Sequence, residues 1–195
     1  MSANWFIRTQ VKIIGFTYID GQTEMVLKGD SSLLNGRKPM FVPDWTHDLR
    51  FTPCIVLRVC RLGKNIAARF GSRYYDAVAP GADFVAHDVL ADACANGHSW
   101  LRATAFDFSL SVGEFGTNTE YTWGLVHSDG TETQLQSNEW VISPDEAIHR
   151  VSEVMTIRQG DLIYIQQKVD ARTVGTNEIL RAVANREEKL YCKIK

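Results

Sequence analysis

The sequence predicts a mainly β fold of the α+β class, with short helices. Three observations predict it: strand-length apolar runs stop at turn dipeptides, only two segments carry helical spacing, and no internal repeat or low-complexity stretch suggests a solenoid or a disordered tail. At 195 residues, with 45% hydrophobic and 23% charged residues, the chain matches one globular domain with a sizeable core.

Residues 11–18 form a strand that runs into Asp20-Gly21, and residues 51–59 form another before Gly63. Residues 120–126 precede Asp129-Gly130, and with residues 131–135 returning they read as a hairpin. A first helix is expected after Asn65, burying Ile66, Phe70 and Tyr74 at near-helical spacing. The second has clearer punctuation. Ser143 can cap it, Pro144 suits the first helical position, and Glu146 completes a capping box, while Ile148, Val151 and Met155 recur on one face. The turn at Gln159-Gly160-Asp161 then feeds a strand over residues 162–165.

Charge excludes two partner classes. The 21 Lys and Arg nearly balance the 23 Asp and Glu, and no basic run tracks a phosphate backbone or an anionic lipid surface, so neither nucleic acid nor a membrane is expected. Cys54, Cys60, Cys94 and Cys192 are scattered, without a CxxC pair or a His at zinc-finger spacing. Reduced thiols in a cytoplasmic protein are the simplest reading. No leader-like apolar stretch opens the chain, and no segment approaches the length of a membrane span.

Six segments in succession carry a family resemblance: KIIGFTYIDGQTE, VLKGDSSLL, RLGKNIAARFGSRYYDAV, GADFVAHDVLADA, WLRATAFDFSLSVGEF and VMTIRQGDLIYIQQ. In this order they resemble the fumarylacetoacetate hydrolase family over residues 12–195, leaving residues 1–11 as an unmatched N-terminal extension. The resemblance implies a rolled mixed β-sheet, usually assembled as a homodimer. It also implies hydrolysis of carbon–carbon bonds in diketo acids, decarboxylation of oxaloacetate, or isomerisation of related dicarboxylates.

Family members hold a divalent cation, Mg, Mn or Ca, on a Glu-x-Glu pair from one strand and an Asp from a later one. Residues two apart on a strand share a face, so such a pair can converge on one ion, which acts as a Lewis acid on the enolate formed at bond cleavage. The resemblance places the two glutamates at Thr52 and Cys54 and the aspartate at Asp88, so that only one carboxylate survives. Pro53 between them removes a ladder donor and suggests a bulge or an edge.

Other family positions are also substituted. A lysine that steadies developing negative charge falls on Thr104, and the Thr-Gly-Thr-Pro that grips substrate reads Ile165, Gln166, Gln167, Lys168, which makes Gln167 a candidate substrate contact. The His of a His–Glu pair that activates water falls on Gly21, while Glu24 stands at the Glu. Glu24 without its imidazole is a weak base, and a surface position is the simpler reading. Lys28 matches a lysine near the substrate carboxylate and is the best surviving contact for a small carboxylate ligand.

Cys54, His87 and Asp88 could form a softer zinc site, but His87 and Asp88 as consecutive strand residues would point to opposite faces. Asp92, Cys94 and His98 invite a thiol-nucleophile reading without a family signature around them. Trp45, Trp100, Trp123 and Trp140 are expected in the core or at an interface. The function expected is that of a family protein with a degenerate metal site, catalytically impaired and acting as a binding or partner scaffold, with no cofactor. The alternative is a metal-dependent hydrolase, decarboxylase or isomerase of small diketo or oxo dicarboxylic acids.

Overall fold

A computed structural model describes residues 11–19, 21–117, 120–135 and 139–195. The N-terminal extension therefore lies almost wholly outside the described residues.

The chain starts with a hairpin of β1 (Ile13–Ile19) and β2 (Gln22–Lys28), paired antiparallel from Ile13↔Lys28 to Ile19↔Gln22. Gly21, at φ +80°, supplies the left-handed turn conformation that a side chain would oppose. After β3 (Leu33–Asn35), the long strands β4 (Leu49–Val59) and β5 (Tyr75–Ala86) pair antiparallel. The helix expected after Asn65 is instead a 3-10 segment, Ala68–Arg73, in which Gly71 packs so closely that a Cβ would lie 2.6 Å from Asp145 Cα. Ile66 is buried as expected, while Phe70 and Tyr74 are half-buried.

Helix α1 (His87–Asn96) follows β5 directly and is capped by Gly97 in the left-handed conformation, with Gly97 N–H to Cys94 and His98 N–H to Ala93. The single turn α2 (Leu101–Thr104) and strand β6 (Leu110–Val112) come next, then the expected hairpin as β7 (Thr122–Val126) and β8 (Glu132–Leu135). Helix α3 (Pro144–Val154) starts as predicted, with Ser143 accepting the N–H of Glu146 at 3.3 Å. Strand β9 (Leu162–Gln166), the short β10 (Arg172–Thr173), β11 (Ile179–Ala184) and β12 (Glu187–Lys193) complete the chain.

One sheet runs β2-β1-β9-β4-β5-β6-β3 with β10 on β4, and a second runs β12-β11-β7-β8. The large sheet is mixed, since β1–β9 and β3–β6 are parallel and the other pairs antiparallel. Side chains alternate faces along a strand. Phe51, Ile55 and Leu57 of β4 therefore join Trp123, Leu125 and Leu180 of the small sheet in the main core. Cys54 and Val56 point the other way and meet Tyr164 of β9, Val26 of β2 and Leu110 of β6 in a second cluster. That β2 and β6 meet across three intervening strands and β5 requires the sheet to roll. Both faces are thus buried, which accounts for the unbroken apolar stretches in β4 and β9.

Candidate functional site

Inside the roll, the even-numbered residues of β4 face residues of β5 and β9. The register sets Thr52 opposite Asp83, and Cys54 opposite Gly81 on one side and Gln166 on the other. Gly81 is small by necessity, since a Cβ there would lie 2.8 Å from Cys54 Sγ. Asp83 is buried, and its charge is answered by Lys28, whose Nζ lies 2.8 Å from Oδ1 with the two side chains 0% and 1% exposed. Gln166 Nε2 donates to the other oxygen, Oδ2, at 2.7 Å.

Lys28 also donates to the Ser109 hydroxyl at 2.9 Å, the Ser109 carbonyl at 3.2 Å and the Thr104 carbonyl. The Tyr164 ring lies below the ammonium, 5.7 Å to its centroid, over Gly15, where a Cβ would come within 2.0 Å of the ring. Burial pushes the Cys54 thiol well above its ordinary value, with Asp83 adding to the shift and Lys28 opposing it. Tyr164 is raised first by burial and second by the charge of Asp83.

The structure does not bring Asp88 to Thr52 and Cys54. His87 and Asp88, expected on a strand, open α1, where Asp88 accepts from the Thr46 hydroxyl and from the His47 N–H at 3.1 Å. Burial alone would raise the Asp88 carboxyl, but these bonds and the Val89 N–H hold it below the usual range. The carboxylate facing Thr52 is Asp83. Among the described residues, Cys54, His87 and Asp88 do not come together as a ligand set.

The remaining expected residues fall as follows. Thr104, buried at the end of α2, contributes its carbonyl to Lys28. Gln167 lies just past β9 with its N–H on the Pro53 carbonyl, while its neighbour Gln166 is the residue that turns into the roll. Glu24 is half-buried on β2 opposite Thr17, and Gly21 is exposed in the hairpin turn. Pro53 marks no bulge, because the β4–β5 register runs unbroken past it. Asp92 is exposed and bonds Asn96, as a helix surface residue does. Trp123 is core, packed edge-to-face with Trp140 at 6.1 Å.

Beside this cluster a cavity of about 420 Å³ opens, lined by Thr17, Arg50, Thr52, His87, Gln166 and Asp170 among others. Thr17 and Thr52 line it although both residues are nearly buried, at 3% and 5% exposed. Arg50 is held by Asp48 through Nε at 2.8 Å and Nη2 at 2.6 Å, which lowers the Asp48 carboxyl. Burial, and then the charge of Arg50, lower His87, so the imidazole is neutral near pH 7.

Sequence reasoning missed Asp83, Arg50, Thr17 and Gln166. A signal existed for Asp83: a lone carboxylate inside the apolar run AVAPGADFVA must be buried and therefore paired. Among the described residues, no three His, Cys, Asp or Glu side chains converge as a metal-ligand set. The side chains that β4 and β5 set together are the Thr52 hydroxyl, the Cys54 thiol raised by burial, and the Asp83 carboxylate paired with the Lys28 ammonium. That set does not fit a hard divalent ion.

The family described as fumarylacetoacetate (FAA) hydrolase C-terminal matches residues 13–165. No curated protein matches the chain. Solved structures do. A fumarylacetoacetate hydrolase family protein of Yersinia pestis superposes with a TM-score of 0.80 at 17% identity, covering 95% of this chain and 92% of the other. The fumarylpyruvate hydrolase of Pseudomonas aeruginosa, in complex with Mn2+ and pyruvate, gives 0.79 at 16% identity over 95% and 88%. The 2-hydroxyhepta-2,4-diene-1,7-dioate isomerase of Mycobacterium marinum gives 0.76 at 17% over 95% and 73%. At such identities the likeness is one of fold.

Proposed function

The chain belongs to the fumarylacetoacetate hydrolase family, and from that membership we propose a member that has left metal-dependent carbon–carbon bond chemistry and serves as a binding scaffold. The observation that carries this reading is the donor set of Thr52, Cys54 and Asp83 on the facing strands β4 and β5. A divalent ion would supply Lewis-acid stabilisation of an enolate. Holding it takes several oxygen ligands, preferably anionic, and two of the three side chains here are neutral. Thr104 brings no positive charge to developing oxyanion charge either.

The cavity over Thr52 suits a small carboxylate without metal. Arg50, oriented by Asp48, presents a guanidinium edge, and the Thr17 and Thr52 hydroxyls can donate to a ligand oxygen. Lys28, expected to make this contact, has its ammonium committed to Asp83 and its neighbours, so ligand recognition passes to Arg50. A homodimer completes the proposal, supported by the exposed apolar side chains of Phe41, Leu101 and Phe108. Among the described residues no helix is long and apolar enough to cross a membrane, and none of the four cysteines is in a disulfide, which suits a reducing compartment.

Two assays test the reading. Oxaloacetate and acylpyruvates incubated with the protein and millimolar Mg2+ or Mn2+ should turn over no faster than in buffer. Calorimetric titration with pyruvate should show weak binding that Arg50→Ala abolishes and Lys28 does not govern. Metal-dependent turnover would instead place the chain among the hydrolases, decarboxylases or isomerases of small oxo acids.

A further inference from the structure

We propose that the cavity over Thr52 takes a small amino acid, with its carboxylate on Arg50 and its ammonium on Asp170. This names the ligand class of the carboxylate site proposed above and rests on that reading. Of the residues lining the cavity, Arg50 and Asp170 carry charge, and their charges are opposite. An oxo acid would use only the first.

Arg50 is fixed from one edge. Its Nε donates to both oxygens of Asp48, at 2.8 and 3.1 Å, and its Nη2 donates to Oδ2 at 2.6 Å. A guanidinium has five N–H donors, so both hydrogens of Nη1 and the second of Nη2 are left over from Asp48. That remaining edge is the fork that takes a carboxylate through two parallel hydrogen bonds.

Asp170 supplies the complementary half. It stands in the segment 167–171 between β9 and β10, and it also borders a neighbouring cavity of about 400 Å³ that Pro53 and Arg172 line. Among the described residues no cation pairs with its carboxylate: Arg50 is on Asp48, Lys168 is on Glu139 at 3.9 Å, and Arg172 forms no ion pair with it. Tyr18, 45% exposed, lines the cavity as well, and an aromatic face attracts an ammonium.

Charge balance decides between ligand classes. Asp48 answers the charge of Arg50, and His87, lowered by burial and then by Arg50, is neutral near pH 7. Asp170 then leaves the cavity about one unit negative. A simple carboxylate brings in a second negative charge and leaves Asp170 unmatched, while a simple amine leaves the guanidinium edge unused. A zwitterion adds no net charge and gives each group a partner of opposite sign.

The test is calorimetric titration of the unmodified protein at pH 7.5 with pyruvate, and with L-alanine beside propionate, which has the same carbon chain and carboxylate but no ammonium. A second pair, 4-aminobutyrate beside butyrate, makes the same comparison over a longer span. In at least one pair the amino acid should bind about tenfold more tightly than its acid or better, the factor expected of one charge-assisted hydrogen bond. Asp170→Asn, a change at an exposed position, should reduce that amino acid to the level of its acid and leave pyruvate binding no weaker. Binding of the acids with no preference for either amino acid, or a preference that persists in Asp170→Asn, overturns the amino-acid reading and leaves the carboxylate site standing. Binding of none of these compounds removes the carboxylate site and this inference together.

Discussion

Replacing Lys28 by Met keeps most of the side-chain volume and removes only the charge and its donors. Asp83 would then remain buried without its counter-ion, with Gln166 Nε2 still donating to it, and the carbonyls of Thr104 and Ser109 would each lose one donor while keeping the Ser109 hydroxyl and the Phe84 N–H. Breaking one side of a buried ion pair costs about 3–5 kcal/mol. In a domain of this size each kcal/mol moves the thermal midpoint by about 2–4 °C, so a fall of about 6–20 °C is expected. Circular dichroism melts, with urea titrations to check that the m-value is unchanged, measure it. Removing both charges in Lys28→Met/Asp83→Asn should recover at least half of the loss, because no uncompensated charge is then left behind. A midpoint within about 2 °C of the parent for Lys28→Met, or a double variant that melts lower still, would refute the buried-pair reasoning.

Other consequences are as direct. Gly15→Ala places a Cβ 2.0 Å from the Tyr164 ring and should cost about 1–3 kcal/mol or more by overpacking, read as a lower denaturant midpoint. Ser143→Ala removes the α3 cap and should cost about 1 kcal/mol. His87 titrates low because burial disfavours its cation, so the unfolded chain binds the extra proton. Its contribution is then intact above an unfolded value of about 6.5 and is lost as pH falls towards the lower folded value. Stability between pH 7.5 and 5.5 should therefore decline less in His87→Gln than in the parent. Light scattering across micromolar concentrations should give twice the mass of the 22.0 kDa chain, and a monomer mass would remove the dimer.

What the sequence made legible was local chemistry. The Ser143-Pro144-Asp145-Glu146 cap, the Asp129-Gly130 hairpin turn and the turn at Gly160 before β9 each depend on residues within four positions, and each stands where expected. Helix α1 is hidden in VAHDVLADA because it follows an apolar strand without a break, although Gly97 and the spacing of Leu90 and Ala93 carry its signature. The N-terminal hairpin was half seen, its second strand hidden by the mixed polar pattern of QTEMVLK.

The candidate site was less legible, for a physical reason. Thr52 and Cys54 lie on one strand and could be counted off, whereas the carboxylate that meets them depends on the β4–β5 register, which no local pattern sets. Asp83 reads as a lone charge within an apolar strand, and Lys28 as the polar end of a mixed one. Their pairing requires the sheet to roll, and that is a property of the whole chain. The available clue was Asp83 alone, a charge inside an apolar run that had to find a partner.

The central claim, that an ammonium and not a metal answers Asp83, is tested most directly by crystals of the unmodified protein soaked in millimolar Mn2+ and measured at a wavelength where manganese scatters anomalously. The account predicts no anomalous peak within coordination distance of Asp83, with Lys28 Nζ still against Oδ1. A full-occupancy peak bound by Asp83, with Lys28 displaced from it, would contradict the account.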